Sequence, residues 1–430
     1  MSPAGGNVIR GEAFRLGWAN EITYGIDPGT AYYKRVFGVV QSATIPDPVI
    51  DYLPIYALGT ASKRDWYITY KGRITLGAGI PDNWLLDGRP LYLPIGTVAT
   101  TGTDVGGGGG GTVAVANVVA GDTVINVSDV TAYNASNYVQ IGTGTTAEVL
   151  QVDSVGASTL TMKDRAVFAH AIGAALNEVT NPYTHTVSEA VNLSSISMHV
   201  TYSDSSETVK LMRRFHGGKC NRATIEATEG DFLKMSLDEI SFINLTHNQS
   251  TMSATDFYSA SVADINSVLV YPTTQPYLFS YGSLQLDGTT FARIRGFRME
   301  VNNNLDAKYY ITNSAVSQLP YEYREGRRDY RFACQVDIED ASLFNELVQR
   351  GTYSSIYKGF QVIVTFTRGS NDTITITMPS GAPAAGGDAM GCLIRSAAHN
   401  IVTDPVVSVP LDIIGRAPQI VVVDSVGVYP

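Results

Sequence analysis

Apolar and polar residues alternate with a period of two along most of this chain. In WYITYKGRITL, Trp66, Ile68, Tyr70, Ile74 and Leu76 fall on one side, and Tyr67, Thr69, Lys71, Arg73 and Thr75 on the other. Phe297, Met299 and Val301 alternate with Arg298 and Glu300, and Phe332, Cys334, Val336 and Ile338 with Arg331, Gln335 and Asp337. The stretches 360–366 and 373–377 repeat the pattern. Such segments are predicted to be half-buried strands, with one face on a core and the other in water.

Helical spacing is scarce. DASLFNELVQRG predicts one helix: Asp340 caps it, Leu343, Phe344, Leu347 and Val348 make its apolar stripe, and Gly351 closes it. A shorter candidate is PDNWLLDG, Pro81 to Gly88.

Six consecutive glycines, Gly106, Gly107, Gly108, Gly109, Gly110 and Gly111, interrupt the strand texture. A phosphate-cradling loop needs a Lys and a Ser or Thr after its last glycine, and then a helix. Here Thr112 and Val113 follow and a strand begins, so the run reads as a flexible linker. Beyond it TVINV, NYVQIG, TAEVLQV and STLTM form a small all-β unit. Residues 102–181 are therefore expected to be an inserted β-module.

With the insert set aside, the chain says the same thing twice. Arg64-Asp65-Trp66 and Arg328-Asp329-Tyr330 each open a strand that leads to a helix candidate. Leu237-Asp238-Glu239-Ile240 and Leu411-Asp412-Ile413-Ile414 each close a half. The repeated order predicts two copies of one domain. The expected division is an N-terminal arm over 1–45, a first domain over 46–101 and 182–250, the module at 102–181, and a second domain over 251–430. The N-terminal stretch and NPYTHTVSEAVNLSS read as polar segments that fold only on assembly.

Composition narrows the function. Of 430 residues, 44% are apolar and 16% charged, so surface polarity falls largely to Thr, Ser, Asn and Gly. The net charge is −10, and no cluster of Lys and Arg offers the phosphate neutralisation of a sequence-independent nucleic-acid binder. No apolar run is long enough to span a bilayer, and the N-terminus lacks a signal peptide's apolar core. Cys220, Cys334 and Cys392 are odd in number and widely spaced, which fits a reducing compartment.

Candidate chemistry is thin. The six histidines form neither HExxH nor HxH, and His216 with Cys220 in FHGGKC reads as a pair of turn residues. No GxSxG occurs. The carboxylates of ATIEATEGDFLKMSLDEI fit a solvated sheet face, because Arg222, Thr224, Glu226 and Thr228 alternate with Ala223, Ile225 and Ala227. The expectation is no enzyme, no cofactor and no metal.

Several stretches resemble the tail tube proteins of long non-contractile tailed bacteriophages, the siphovirus type. They are KRDWYITYKGRITLGAGIPDNWLLDGRPLYLPIG, RRFHGGKCNRATIEATEGDFLKMSLDEI, YPTTQPYLFSYGSLQLDG, LPYEYREGRRDYRFACQVDIED and VSVPLDIIG. The resemblance implies a mainly β fold: two tandem tail-tube-type β-sandwich domains, each with a flanking helix, beside the small inserted all-β module. It implies rings, trimeric with pseudo-six-fold symmetry or hexameric, stacked into a hollow tube whose shared β-barrel passes viral DNA without specific binding. Tape measure, tail terminator and distal tail proteins are the implied partners, with no membrane. The implied location is the virion tail, assembled in the host cytoplasm. The lumen-lining candidates are Thr224, Glu226, Thr228, Ser236, Asp238, Arg298, Glu300, Gln335 and Asp337, and an acidic wall would let phosphates slide. The alternatives are another β-rich virion component, a capsid decoration or baseplate protein, and a carbohydrate-binding or depolymerising protein using Trp18, Trp66, Trp84 and the 24 tyrosines.

Overall fold

The computed structural model describes residues 14–28, 35–56, 68–105, 112–203, 209–245, 274–286, 288–291, 294–311, 318–337, 359–381, 391–396 and 408–429. Two twelve-stranded sheets dominate it. The first runs in the order Val39–Thr44, Ile68–Trp84, Lys234–Phe242, Val209–Thr228, Ile294–Asn302, Asp329–Asp337, Ser408–Gly415 and Leu393–Ser396. The second passes from Gly282–Leu286 through Val362–Gly369, Asp372–Met378 and Gln419–Asp424 to Ala175–Glu189, and continues into the strands of the module.

Both sheets cross between the halves of the chain. In the first, Val209–Thr228 pairs antiparallel with Ile294–Asn302, setting Thr224 opposite Glu300 and Glu226 opposite Arg298. In the second, Ala175–Glu189 pairs with Gln419–Asp424, setting Val187 opposite Ile420. One apolar core lies beneath both joins and runs from Leu16 to Tyr429. The period-two pattern supplies it: Phe297, Met299, Val301, Phe332, Cys334 and Val336 from one sheet meet Val362, Val364, Phe366, Ile374 and Ile376 from the other. Phe297 stacks on Phe332 at 5.9 Å and tilts against Phe366 at 5.7 Å, so the contact bridges the layers.

The module has its own small core, with Ile125, Val139, Ile141, Leu150, Val152, Leu160 and Leu176 among its residues. Ala175–Glu189 serves both units, since its first part pairs with Tyr138–Ile141 and its later part with Gly96–Asp104 and Gln419–Asp424. Inside the module, Glu148 accepts the backbone N–H of Val167 at 2.8 Å and of Phe168 at 3.3 Å, and lies 2.8 Å from His170 Nε2. One buried carboxylate thus satisfies the turn that closes the unit.

Several expectations need correction. Pro81–Gly88 is not a helix: Pro81 to Trp84 end a seventeen-residue strand, and a short 3-10 turn follows at Arg89–Tyr92. The helix expected at 340–351 lies outside the described residues, as do the glycines 106–111 and Arg64 to Tyr67. NPYTHTVSEAVNLSS is no loose loop, because its first nine residues belong to the strand Ala175–Glu189. Tyr183, His185 and Val187 point inward there, and a polar residue at an inner position disguised the alternation. His216 and Cys220 are buried strand residues rather than turn residues. Gly217 and Gly218 between them lie so close to Ile243 and Phe242 that a Cβ would meet those side chains at 2.3 and 2.4 Å. The glycine pair therefore marks a bulge and a close approach, which from sequence alone reads as a turn.

Trp18 is fully buried on the strand Phe14–Asn20, stacked on Phe37 at 5.6 Å, which removes it from the sugar-stacking alternative. The three cysteines are buried free thiols. Burial raises the Cys334 thiol to about 12 and the Cys392 thiol to about 11, so neither is a ready nucleophile.

Candidate functional site

Two surfaces stand out: a polar sheet face and an apolar hairpin. The polar face is the outer side of the first sheet. Alternation puts Ala223, Ile225, Ala227, Leu237, Met299 and Phe332 into the core. Their neighbours Thr224, Glu226, Thr228, Ser236, Arg298, Glu300 and Gln335 therefore face away. Asp238 joins them, since it accepts the Thr224 hydroxyl at 2.9 Å. Asp337 sits at the end of its strand, 3.1 Å from Arg295 Nε. Thr224, Ser236 and Asp337 are nonetheless buried within the chain.

The face is not simply acidic. Arg222, Lys234, Arg331 and Asp412 also lie on it, legible from the same alternation but not singled out as site residues. Arg298 Nε lies 2.9 Å from Glu300, and Arg331 holds Asp412 with Nε at 2.8 Å and Nη2 at 2.9 Å. Arg222 approaches Asp238 at 3.8 Å, and Glu226 stands in register with both Lys234 and Arg298. The hydrogen bonds from Arg331 hold the Asp412 carboxyl below its usual range. Opposite charges alternate across the strands, so the wall is locally close to neutral.

The hairpin joins Pro48–Ile55 to the first part of Ile68–Trp84, with Ile55 opposite Ile68 and Leu53 opposite Tyr70. Farther along the second strand Ile74 and Leu76 enter the core, as the alternation predicts, whereas Ile68 and Tyr70 are exposed. The ribbon has left the sandwich by that point. Successive residues point to opposite faces, and Tyr52 is 59% and Leu53 54% exposed, so both faces are apolar and open. A two-stranded ribbon has no interior of its own, and such a patch signals a partner surface.

The buried polar clusters are structural. Ser197 donates its hydroxyl to Glu21 Oε1 at 2.5 Å, and His216 Nδ1 lies 3.0 Å from the Ser197 hydroxyl oxygen. Glu21 also accepts the N–H groups of Gly25 and Gly217, each at 2.7 Å. The hydroxyl proton is committed to Glu21, so His216 acts as donor rather than base, and the trio ties down the first strand. Among the described residues no three His, Cys, Asp or Glu side chains come together to hold a metal, and no helix is long and apolar enough to cross a membrane.

This is a β-rich framework whose distinctive surfaces are a polar sheet face and an exposed apolar hairpin. A family model described as phage tail tube protein matches residues 86–412, well over half of the chain, and the chain belongs to that family. No curated protein matches it. Membership makes it a structural subunit of the virion tail that assembles with itself and other tail proteins into a tube.

Proposed function

We propose that the chain forms rings that stack into a hollow tube of the siphovirus type and deliver DNA into the host. The observation that carries this reading is the hairpin Pro48–Ile55 with Ile68–Trp84, whose exposed apolar faces need cover that the described residues do not provide. A second copy supplies it in a stacked or side-by-side arrangement.

The ion-paired face of the first sheet suits a lumen wall. Arg222, Lys234, Arg298 and Arg331 there each stand beside a carboxylate, so passing phosphates release few counterions from them and are not held. In this proposal Thr224, Glu226, Thr228, Ser236, Asp238, Arg298, Glu300, Gln335 and Asp337 belong to that wall. The two halves count as two tube domains, so three chains make a pseudo-six-fold ring. The module at 102–181 faces outward, because its strands extend the second sheet, away from the polar face of the first. Assembly takes place in the host cytoplasm, around a tape measure and between distal tail and terminator proteins.

Negative-stain electron microscopy of the purified chain over a range of concentrations tests this. Hollow tubes or stacked rings with three-fold class averages are expected. Single particles at every concentration, even with a preassembled tail tip present, would sink it.

A further inference from the structure

A groove of about 790 Å³ opens where the strands Asp329–Asp337, Ser408–Gly415 and Leu393–Ser396 end together at the edge of the first sheet. Five arginines line it, Arg327, Arg328, Arg331, Arg395 and Arg416, against three carboxylates, Glu189, Asp329 and Asp412. Among the described residues that line it arginines therefore outnumber carboxylates, on a chain of net charge −10.

The carboxylates leave part of the cationic capacity unused. Asp412 is taken up by Arg331. Glu189 lies 3.5 Å from Arg328 Nη1 and accepts the Tyr330 hydroxyl at 3.2 Å. Asp329 is 3.9 Å from Arg327 Nε and accepts from Asn304 at 3.1 Å. Among the described residues no hydrogen bond or ion pair engages Arg395. Arg328 has a side chain only 8% exposed, its Nη1 donates to the Ile95 carbonyl at 3.0 Å, and its Nη2 finds no acceptor.

We propose that this groove binds an oxyanion, the chemistry shared by phosphate and carboxylate groups, with Arg395 and Arg327 closing on it over Arg328. Guanidinium forks match both groups in bidentate geometry.

The test uses the intact chain at fixed ionic strength, with sodium chloride replaced stepwise by inorganic phosphate or by acetate. Binding is followed by arginine Nε–H resonances and by the unfolding midpoint. Saturable binding is expected, weakened about tenfold or more in the double variant Arg327→Gln, Arg395→Gln and unchanged in Lys308→Gln. Tighter phosphate binding assigns a phosphate site, and acetate binding as tight or tighter assigns a carboxylate site. A response to both anions no different from chloride, or wild-type binding in the double variant, would overturn the proposal.

Discussion

His185 and Asp424, 239 residues apart in the chain, meet in the interior with Nε2 and Oδ1 3.2 Å apart. Asp424 also accepts the Tyr429 hydroxyl and, at 2.7 Å, the Val426 N–H, while Thr100 pairs with the other nitrogen of His185 at 2.9 Å. The Tyr429 ring stacks on the imidazole at 3.4 Å, and its hydroxyl in turn accepts the Gly88 N–H at 3.0 Å. One carboxylate thus fastens the last residues of the chain to the strand shared with the module. Asp424→Ala leaves buried donors without an acceptor and is expected to cost roughly 3–5 kcal/mol. Urea unfolding followed by tryptophan fluorescence measures it, and a loss under 1 kcal/mol would show the network to be dispensable.

His199 makes the fold acid-sensitive. Burial, helped by nearby Arg214, lowers its folded value to about 3, against about 6.5 for an unperturbed histidine. Below pH about 6.5 the unfolded chain takes up a proton that the folded chain refuses. Its contribution is therefore complete above that pH and declines as pH falls toward 3, by up to about 1.4 kcal/mol per unit. His216, lowered mainly by burial, acts in the same direction. Unfolding midpoints at pH 7 and pH 5 should fall less steeply in His199→Gln than in the parent chain; identical slopes would remove His199 as the cause.

The hairpin separates assembly from stability. Tyr52 and Leu53 are exposed, so Tyr52→Asp with Leu53→Asp should change the stability of the single chain by only about 0.5 kcal/mol. Tube formation, scored by sedimentation and microscopy, should be abolished or moved to much higher concentration. Normal tubes from this variant would exclude the hairpin from the interface.

Glu148 governs the module. Glu148→Ala frees the N–H groups of Val167 and Phe168 and leaves His170 without its buried partner. A local loss of roughly 3–5 kcal/mol is expected. Amide exchange should accelerate around 166–170 and in the module strands while Phe332 and its neighbours stay protected. Uniform acceleration across both sheets would show that the module and sandwich unfold as one.

Strand identity was legible wherever one face is uniformly apolar. Phe297, Met299 and Val301, or Ile374 and Ile376, reveal themselves because side chains alternate with a period of two and only one side meets the core. The same rule placed Glu226, Arg298 and Gln335 on a common polar side. It failed where an inner position is polar, as at His185, or where glycines bring another side chain onto the backbone, as at Gly217 and Gly218. The two LDxI stretches both lie on strands but bury their residues differently. Leu411 and Ile413 are buried at regular spacing while Ile414 is exposed, whereas Leu237 and Ile240 are both buried because the pairing shifts register between them. Local alternation therefore determined that this is a β protein and, where one face is uniformly apolar and the strand stays in the sandwich, which residues turn inward. Only the tertiary structure decided that both halves share continuous sheets, that cations and carboxylates alternate across strands, and that Ile68 and Tyr70 are left uncovered. Those outcomes depend on strand order and register, which residues far apart in the chain settle by pairing.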